Sequence, residues 1–362
     1  MLESWEKNSF APSQLKQILS SAAPHWRART INRERIRSDQ SGNHIESSAQ
    51  SPFTAITSTW RPQLVRIITD STSSIPQDIR AELGIEVTSL IINRNGEEFV
   101  ESETDLDAFY EDIYEMADNI PTSSQPPLGK VHEVVESIAK TGDEVLGIFI
   151  SSKMSGTFES FVHVAKEVKN DFSNFRFAAI DSMTNCMEMG WPVIAAAKAA
   201  KTGASLDDCI QAANASLHST RFVFAPESLL FLQKGGRIGK AAALIGNMIS
   251  LTPVLTVNDG EASTFSKCRT QKKALAKMLQ VLNEDMAPSG LKNLVVHYIG
   301  SKAPAVQWAE EKVAPFIGFM PRIVPASPVI GVHVGPAVGI AYECNAPIPN
   351  KFHSNKPEII VC

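Results

Sequence analysis

The chain of 362 residues has little of what redox, zinc or membrane proteins require. Its five cysteines are scattered and form no Cys-x-x-Cys pair, so neither a zinc site nor a dithiol motif is expected, and reduced thiols favour a cytoplasmic location. The longest apolar stretch, residues 241–257, is interrupted by polar side chains and Pro253, which argues against an integral membrane span. The first twenty residues carry Glu3 and Glu6 without an apolar run, so no signal peptide is expected.

An excess of one charge is also lacking. The 34 Lys and Arg residues stand against 39 Asp and Glu residues, and a net charge of -5 gives no general attraction to nucleic acid. Metalloprotease and hydrolase motifs such as His-Glu-x-x-His and Gly-x-Ser-x-Gly do not occur. The segment Gly235–Lys240 is one residue short of a phosphate-loop spacing and follows a predicted helix rather than a strand. We therefore expect no nucleotide, cofactor or metal site, although Arg237 remains a candidate contact for an anion.

The first 64 residues differ in composition from the rest. They are rich in Ser, Arg and Gln, with a basic cluster between Arg27 and Arg37. Such a segment buries too little apolar surface to offset the entropy of ordering it, so a flexible N-terminal extension is expected. The alternative is a segment that recruits a protein partner. From Val65 onward, predicted strands alternate with predicted helices, which indicates an α/β fold.

Individual segments carry the pattern of one element. Val145–Ser151 is apolar without alternation, as in a strand covered on both faces. The apolar residues from Phe158 to Val168 recur at the spacing of one helix face, and Asn95-Gly96 is a strong hairpin turn. Further strands are predicted at residues 65–69, 85–93, 177–180, 222–225, 249–257, 263–269, 294–298, 332–334 and 339–342.

Hydroxyl side chains lie where three predicted strands end. They are Ser71 after Asp70, Ser155 and Thr157 around Gly156, and Ser182 after Asp181. Ser123 and Ser124 lie in a further loop. In an open α/β sheet, ligands bind beyond the carboxyl ends of the strands, where helix N-termini favour an anion. These residues together predict an anion pocket. The alternative for each Ser or Thr is that it merely caps a helix.

His333 lies between glycines in the segment Gly331–Pro336, where a ligand can reach its ring. An imidazole can donate a hydrogen bond to a carboxylate. Paired with Ser155 as a nucleophile, His333 would instead act as the base of a serine-type acyl hydrolase, which is the alternative function. No third residue that would orient such a base is visible in the sequence.

Taken in order, these motifs resemble those of the DegV family of bacterial fatty-acid-binding proteins. The similarity extends over about residues 65–343 and leaves residues 1–64 outside it. The matching segments are Ile68–Thr72, Thr122–Pro126, Ser151–Phe158, Asp181-Ser182, Leu232–Ile238, Pro253–Leu255 with Asp259-Gly260, Lys267–Arg269 and Gly331–Pro336.

The resemblance implies an α/β protein of two domains. It places an open, mostly parallel sheet in a first domain over residues 65–220 and a mixed α/β second domain over residues 221–345. A peripheral tail is expected over residues 346–362. It also implies a carrier rather than an enzyme, which binds a long-chain fatty acid and presents it to a separate fatty acid kinase.

The same resemblance assigns roles to particular residues. Ser155 and a hydroxyl of Ser123 with Ser124 would contact the carboxylate, and Arg237 and His333 would border the head group. Gly156 and Thr157, in the same motif as Ser155, are further ligand-binding candidates. Asp70, Ser71, Asp181 and Ser182, which follow predicted strands, are secondary candidates. The family commonly has Thr where Ser123 stands, and Thr-Gly-Pro-Gly where this chain has Val334–Ala337. The second departure removes a hydroxyl beside His333.

Overall fold

The computed structural model describes residues 63–349, 351 and 357–362, and their strands form three sheets. The strands are β1 (Val65–Asp70), β2 (Glu86–Thr88), β3 (Ile91–Arg94), β4 (Glu97–Val100), β5 (Thr122–Ser124), β6 (Glu144–Phe149), β7 (Phe177–Asp181), β8 (Thr220–Pro226), β9 (Thr252–Asn258), β10 (Glu261–Cys268), β11 (Leu291–Ile299), β12 (Arg322–Pro325), β13 (Ala337–Cys344) and β14 (Ile359–Val361). All but the last two residues of the expected N-terminal extension lie outside the described residues.

The α-helices of the described residues lie between these strands in sequence. They are α1 (Gln77–Leu83), α2 (Leu106–Glu111), α3 (Leu128–Thr141), α4 (Thr157–Asp171), α5 (Cys186–Lys201), α6 (Leu206–Ser219), α7 (Leu230–Lys234), α8 (Gln271–Met286), α9 (Ala303–Trp308), α10 (Ala314–Ile317) and α11 (Pro328–Val334). Segments of 3-10 helix include Ser71–Ser73 and Gly239–Ser250, and a π turn over Ala309–Val313 joins α9 to α10. None of the helices in the described part of the chain is long and apolar enough to span a bilayer.

The first sheet has the strand order β14-β7-β6-β1-β2 and is parallel except for β14 at its edge. Every residue of β6 is buried, because helices cover both faces. Phe149 packs with Phe161 of α4 on one face, while Ile148 packs in the cluster that contains Met187 of α5 on the other. The strand and helix predicted between residues 145 and 168 are therefore confirmed.

The second sheet has the order β10-β9-β8-β13-β11-β12, and only its β11–β12 pair is parallel. A small third sheet, β4-β3-β5, contains the hairpin predicted at Asn95-Gly96, and both turn residues have positive φ. A mostly parallel first sheet and a mixed second sheet confirm the predicted fold class.

Two strand predictions were wrong. The segment 85–93 forms two short strands in different sheets, β2 beside β1 and β3 beside β5. Residues 332–334 lie in helix α11 instead of a strand. Ser327 caps this helix by accepting a hydrogen bond from Ile330 N, and Pro328 begins it. Its β-branched residues resemble a strand in sequence, but these caps and the packed surroundings select the helix.

Candidate functional site

A cavity of about 230 Å³ lies where loops of the first sheet face the second sheet and α11. A single water needs only roughly 10–15 Å³ by the same kind of measure, so this space suits an organic ligand. Ten of its lining residues are apolar, and most of the others are polar. The apolar lining is Leu90, Ile150, Met154, Phe224, Leu232, Val257, Ala262, Val329, Ile330 and Val334, and the rest is Ser123, Ser124, Gln125, Ser155, Gly156, Asn185, Arg237 and His333.

Ser123 and His333 meet at the polar part of this cavity. Ser123 lies on β5, held opposite Ile92 of β3, and His333 lies in the last turn of α11. Ser123 Oγ is 2.8 Å from His333 Nε2, a contact between residues 210 positions apart in sequence. This hydrogen bond joins the small third sheet to the helix that precedes β13.

His333 is neutral at neutral pH. Burial, and to a smaller extent the positive charge of Arg237, lower the pKa of its imidazole to about 4. Its Nδ1 atom is buried and has no hydrogen-bond partner among the described residues. Gly235 leaves the space that this ring occupies, because a Cβ there would lie 2.6 Å from Nδ1.

Ser155 lies in the loop between β6 and α4. Its Oγ is 2.8 Å from Oγ1 of Thr157, which is buried in the first turn of α4 and does not itself line the cavity. Gly156 brings this loop against the neighbouring one, since a Cβ at this position would lie 2.7 Å from Gln125 Oε1. The loop that carries Ser155 is thereby placed beside the loop that carries Ser123 and Ser124.

Arg237 lies exposed at the rim of the cavity. Its Nε donates to Met154 O at 3.3 Å and its Nη1 donates to Gly235 O at 2.8 Å. The side chain therefore connects the segment after α7 to the loop that carries Ser155. Its positive charge contributes to the lowered pKa of His333.

The secondary candidates do not line this cavity. Asp70 is buried and accepts hydrogen bonds from Thr72 N and Ile150 N, so its carboxyl holds two loops together. Asp181 likewise accepts from Ser152 N and Ser152 Oγ. Ser71 and Ser182 also bind within the protein, since Ser71 Oγ donates to Glu101 and Ser182 Oγ donates to Thr184 O. These four side chains shape the loops instead of facing the cavity.

Sequence reasoning missed three polar or sulfur-containing lining residues, Gln125, Met154 and Asn185. Gln125 and Met154 lie inside the motifs Thr122–Pro126 and Ser151–Phe158, so their position beside Ser124 and Ser155 could have marked them as candidates. Asn185 precedes α5, its Oδ1 is buried, and no described residue gives that atom a hydrogen bond. No spacing rule in the sequence marks it, because it reaches the cavity only through the packing of α5.

The contacts of Ser155 and His333 bear on the alternative hydrolase. That reaction needs the imidazole to accept the proton of the nucleophile directly. His333 Nε2 is hydrogen-bonded to Ser123, whereas Ser155 is hydrogen-bonded to Thr157. The contact that this reaction needs, between Ser155 and His333, is therefore not among the hydrogen bonds of the described residues. The described residues also contain no cluster of three or more His, Cys, Asp or Glu suited to a metal ion.

A family model and a relative of known sequence both match this chain over most of its length. The family model described as "Uncharacterised protein, DegV family" matches residues 64–345. A DegV domain-containing protein of Clostridium acetobutylicum is 42% identical over 280 residues, which cover 77% of this chain and 97% of that protein.

Solved structures show the same fold. DegV of Bacillus subtilis, described as a fatty acid binding protein, is 30% identical with a TM-score of 0.69, over 78% of this chain and 99% of that one. A DegV family protein from Thermus thermophilus, whose structure is described as showing fatty acid binding, is 27% identical with a TM-score of 0.68, over 78% and 100% of the two chains. With a family model that spans most of its length and relatives that share its sequence and fold, the chain belongs to the DegV family.

Proposed function

We propose that this protein binds a long-chain fatty acid in the cavity between β5, the loop that carries Ser155, and α11. The observation that carries the proposal is an apolar cavity whose polar lining brings together Ser123, Ser155 and the neutral His333. Two relatives at 30% and 27% identity are described in terms of fatty acid binding, which supports the same ligand class here.

The hydrogen bond between His333 and Ser123 suits a carboxylate. A neutral imidazole has one N–H, and a buried N–H without a partner is rarer than a buried acceptor without one. Because Nδ1 is the atom without a partner among the described residues, the proton belongs on Nε2. Nε2–H then donates to Ser123 Oγ, and the Ser123 hydroxyl is left to donate to the ligand.

Head and tail would contribute differently to affinity. Burial of each CH₂ is worth about 0.8 kcal/mol, so a chain of about 16 carbons contributes on the order of 10 kcal/mol before the costs of binding. A hydrogen bond to the carboxylate contributes about 1.5–3 kcal/mol. Tail burial therefore sets affinity, while Ser123, Ser155 and His333 set the orientation of the ligand.

We further propose a non-enzymatic carrier role, in which a separate fatty acid kinase phosphorylates the bound carboxylate with ATP. Supporting this division, the glycine-rich segment Gly235–Lys240 follows helix α7 instead of a strand, so it lacks the setting of a phosphate loop. Residues 65–220 and 221–345 are proposed as the two domains, with the ligand held between them.

Mass spectrometry of the denatured, full-length protein purified from a bacterial host tests the ligand. We expect a co-purified fatty acid in about stoichiometric amount. Ser155→Ala and Ser123→Ala should each weaken fatty acid retention about tenfold or more, because one hydrogen bond to the carboxylate is lost. Ser137→Ala, an exposed serine of α3, is the matched control and should load as the wild type does.

Two results would count against the proposal. One is wild-type protein that neither carries a fatty acid nor takes one up when incubated with it. The other is equal loading of Ser123→Ala, Ser155→Ala and Ser137→Ala, which would move the carboxylate away from these hydroxyls. Acyl phosphate formation upon addition of ATP and a fatty acid kinase tests the carrier role separately.

A further inference from the structure

A second cavity, of about 350 Å³, lies on the other side of the start of α11 and shares no lining residue with the first. Its walls come from the segment after β1, helix α1, the segment after β4, strand β12 and the start of α11. Hydroxyl groups are its most frequent polar feature. They belong to Ser71, Ser73, Ser74, Ser102, Thr104 and Ser327. Nothing in the fatty acid proposal uses this space.

Two arginines also line the second cavity, and they differ in their partners. Arg322, on β12, donates from Nη2 to Asp78 Oδ1 at 2.7 Å. Arg80, on α1, forms no ion pair with any described residue, and its buried Nε has no hydrogen-bond partner there. Burial lowers the pKa of Arg80. A partly buried guanidinium without a counterion is costly, and binding of an anion would remove part of that cost.

The one buried carboxyl of this wall does not complete it. Glu101 accepts a hydrogen bond from Ser71 Oγ and another from Val329 N at 2.9 Å, so both of its oxygens are engaged elsewhere. Burial raises the pKa of Glu101 to about 7, which also reduces its negative charge at neutral pH. Repulsion of an incoming anion by Glu101 is correspondingly weak.

Arg80 also lines an adjoining cavity of about 410 Å³, and Gln77, Val87 and Ser102 lie in both walls with it. Its guanidinium is therefore reachable from solvent by a small molecule. Guanidinium groups and hydroxyls together are the donors that hold phosphate oxygens, since a guanidinium offers paired N–H groups in one plane.

We propose that this second cavity is a binding site for a small phosphorylated ligand, a phosphomonoester held by Arg80 and Arg322 and by the exposed hydroxyl of Ser102, which lines both this cavity and the adjoining one. Arg80 forms the principal contact, because it has no competing partner in the described chain. Arg322 contributes less, since binding must compete with its existing pair to Asp78. The site is independent of the fatty acid, and failure of either proposal leaves the other standing.

The test uses the full chain titrated with inorganic phosphate, methyl phosphate or acetate by isothermal calorimetry, at neutral pH and constant ionic strength. We expect saturable binding of the two phosphates and weaker binding of acetate. Arg80→Gln should weaken phosphate binding about tenfold or more, by loss of charge-assisted hydrogen bonds. Arg94→Gln is the matched control, because Arg94 pairs with Asp112 outside the cavity, and it should bind as the wild type does.

Folding is checked alongside binding. Arg80→Gln removes no ion pair of the described residues, so its melting temperature without phosphate should equal or exceed that of the wild type. Phosphate should raise the melting temperature of the wild type and of Arg94→Gln, but not of Arg80→Gln. The absence of saturable phosphate binding would overturn the proposal, as would equal binding by Arg80→Gln and the wild type.

Discussion

At the scale of single residues, the site depends on a histidine that stays neutral. The pKa of His333 falls to about 4 because its ring is taken out of water beside Arg237. A neutral ring can donate from one nitrogen to Ser123 without placing a second proton at the buried Nδ1. In the proposed complex, the charge that would attract the carboxylate comes from Arg237 at the rim.

The lowered pKa of His333 makes stability depend on pH. The unfolded chain takes up the histidine proton below a pH of about 6.5, while the folded chain resists it until about 4. The unfolding free energy of the wild type should therefore fall, relative to that of His333→Gln, as the pH drops across this interval. Urea unfolding of both proteins at several pH values measures the difference. A difference that stays constant with pH would contradict the prediction.

Gly235 is required for the position of the same ring. A methyl group at this residue would lie 2.6 Å from His333 Nδ1 and 2.9 Å from Phe231 O. Gly235→Ala should therefore displace His333 and weaken fatty acid retention, although the φ of -74° at Gly235 is one that alanine adopts readily. Gly129→Ala is the control, with no atom near its added methyl, and should leave retention unchanged. Wild-type retention by Gly235→Ala would show that the ring has room to move.

At the scale of elements, helix α11 separates the two cavities. Ser327 and Pro328 at its start line the second cavity, whereas Val329, Ile330 and His333 line the first. The backbone at its start is held by Glu101, which accepts from Val329 N, and by Ser74, whose Oγ accepts from Ser327 N at 3.1 Å. The position of His333 thus depends on how this short helix begins.

Removal of the helix cap should affect stability and binding together. Ser327→Ala removes the hydroxyl that accepts from Ile330 N, and it should cost about 1 kcal/mol of unfolding free energy. Because α11 carries His333, fatty acid retention should fall as well. Ser205→Ala removes the cap of α6, a residue that lines neither cavity, and should cost a similar amount without changing retention. Equal fatty acid retention by the two variants would show that the cap of α11 does not influence binding.

At the scale of the whole molecule, the end of the chain returns to the first sheet. After β13, the backbone of Ile348 donates to His218 O at 2.8 Å, and β14 pairs with β7. Between them, Lys351 Nζ lies 2.9 Å from Glu188 Oε1, with 7% and 1% of the two side chains exposed. The match to the family model ends at residue 345, so Lys351 and β14 lie beyond the matched residues.

The buried pair between Lys351 and Glu188 should be sensitive to removal of one partner. Lys351→Met leaves Glu188 buried without its cation and should cost about 3–5 kcal/mol of unfolding free energy. The double variant Lys351→Met/Glu188→Gln should recover part of that loss, since no buried charge is then left alone. Denaturant unfolding of the two variants and the wild type measures both quantities. A small loss in Lys351→Met would mean that water reaches Glu188.

The cavity shows how far sequence reasoning reached and where it stopped. Motifs after β6 and around β5 marked Ser123, Ser124, Ser155 and Gly156, and these residues do line one space. Asp70 and Asp181 carry similar local signals, yet their carboxyls bind loop backbone instead. A side chain that caps a loop and one that faces a ligand have the same sequence signature, so only their surroundings separate them.

The sequence by itself determined much of the order of strands and helices, because apolar periodicity, turn residues and caps act over a few neighbouring positions. It marked the alternation around β6 and α4 and the hairpin at Asn95-Gly96. Tertiary structure alone decided that residues 328–334 form a helix and that His333 meets Ser123 across 210 positions. It also left Arg80 without a described partner. These outcomes depend on burial and on contacts between distant segments, which no local pattern encodes.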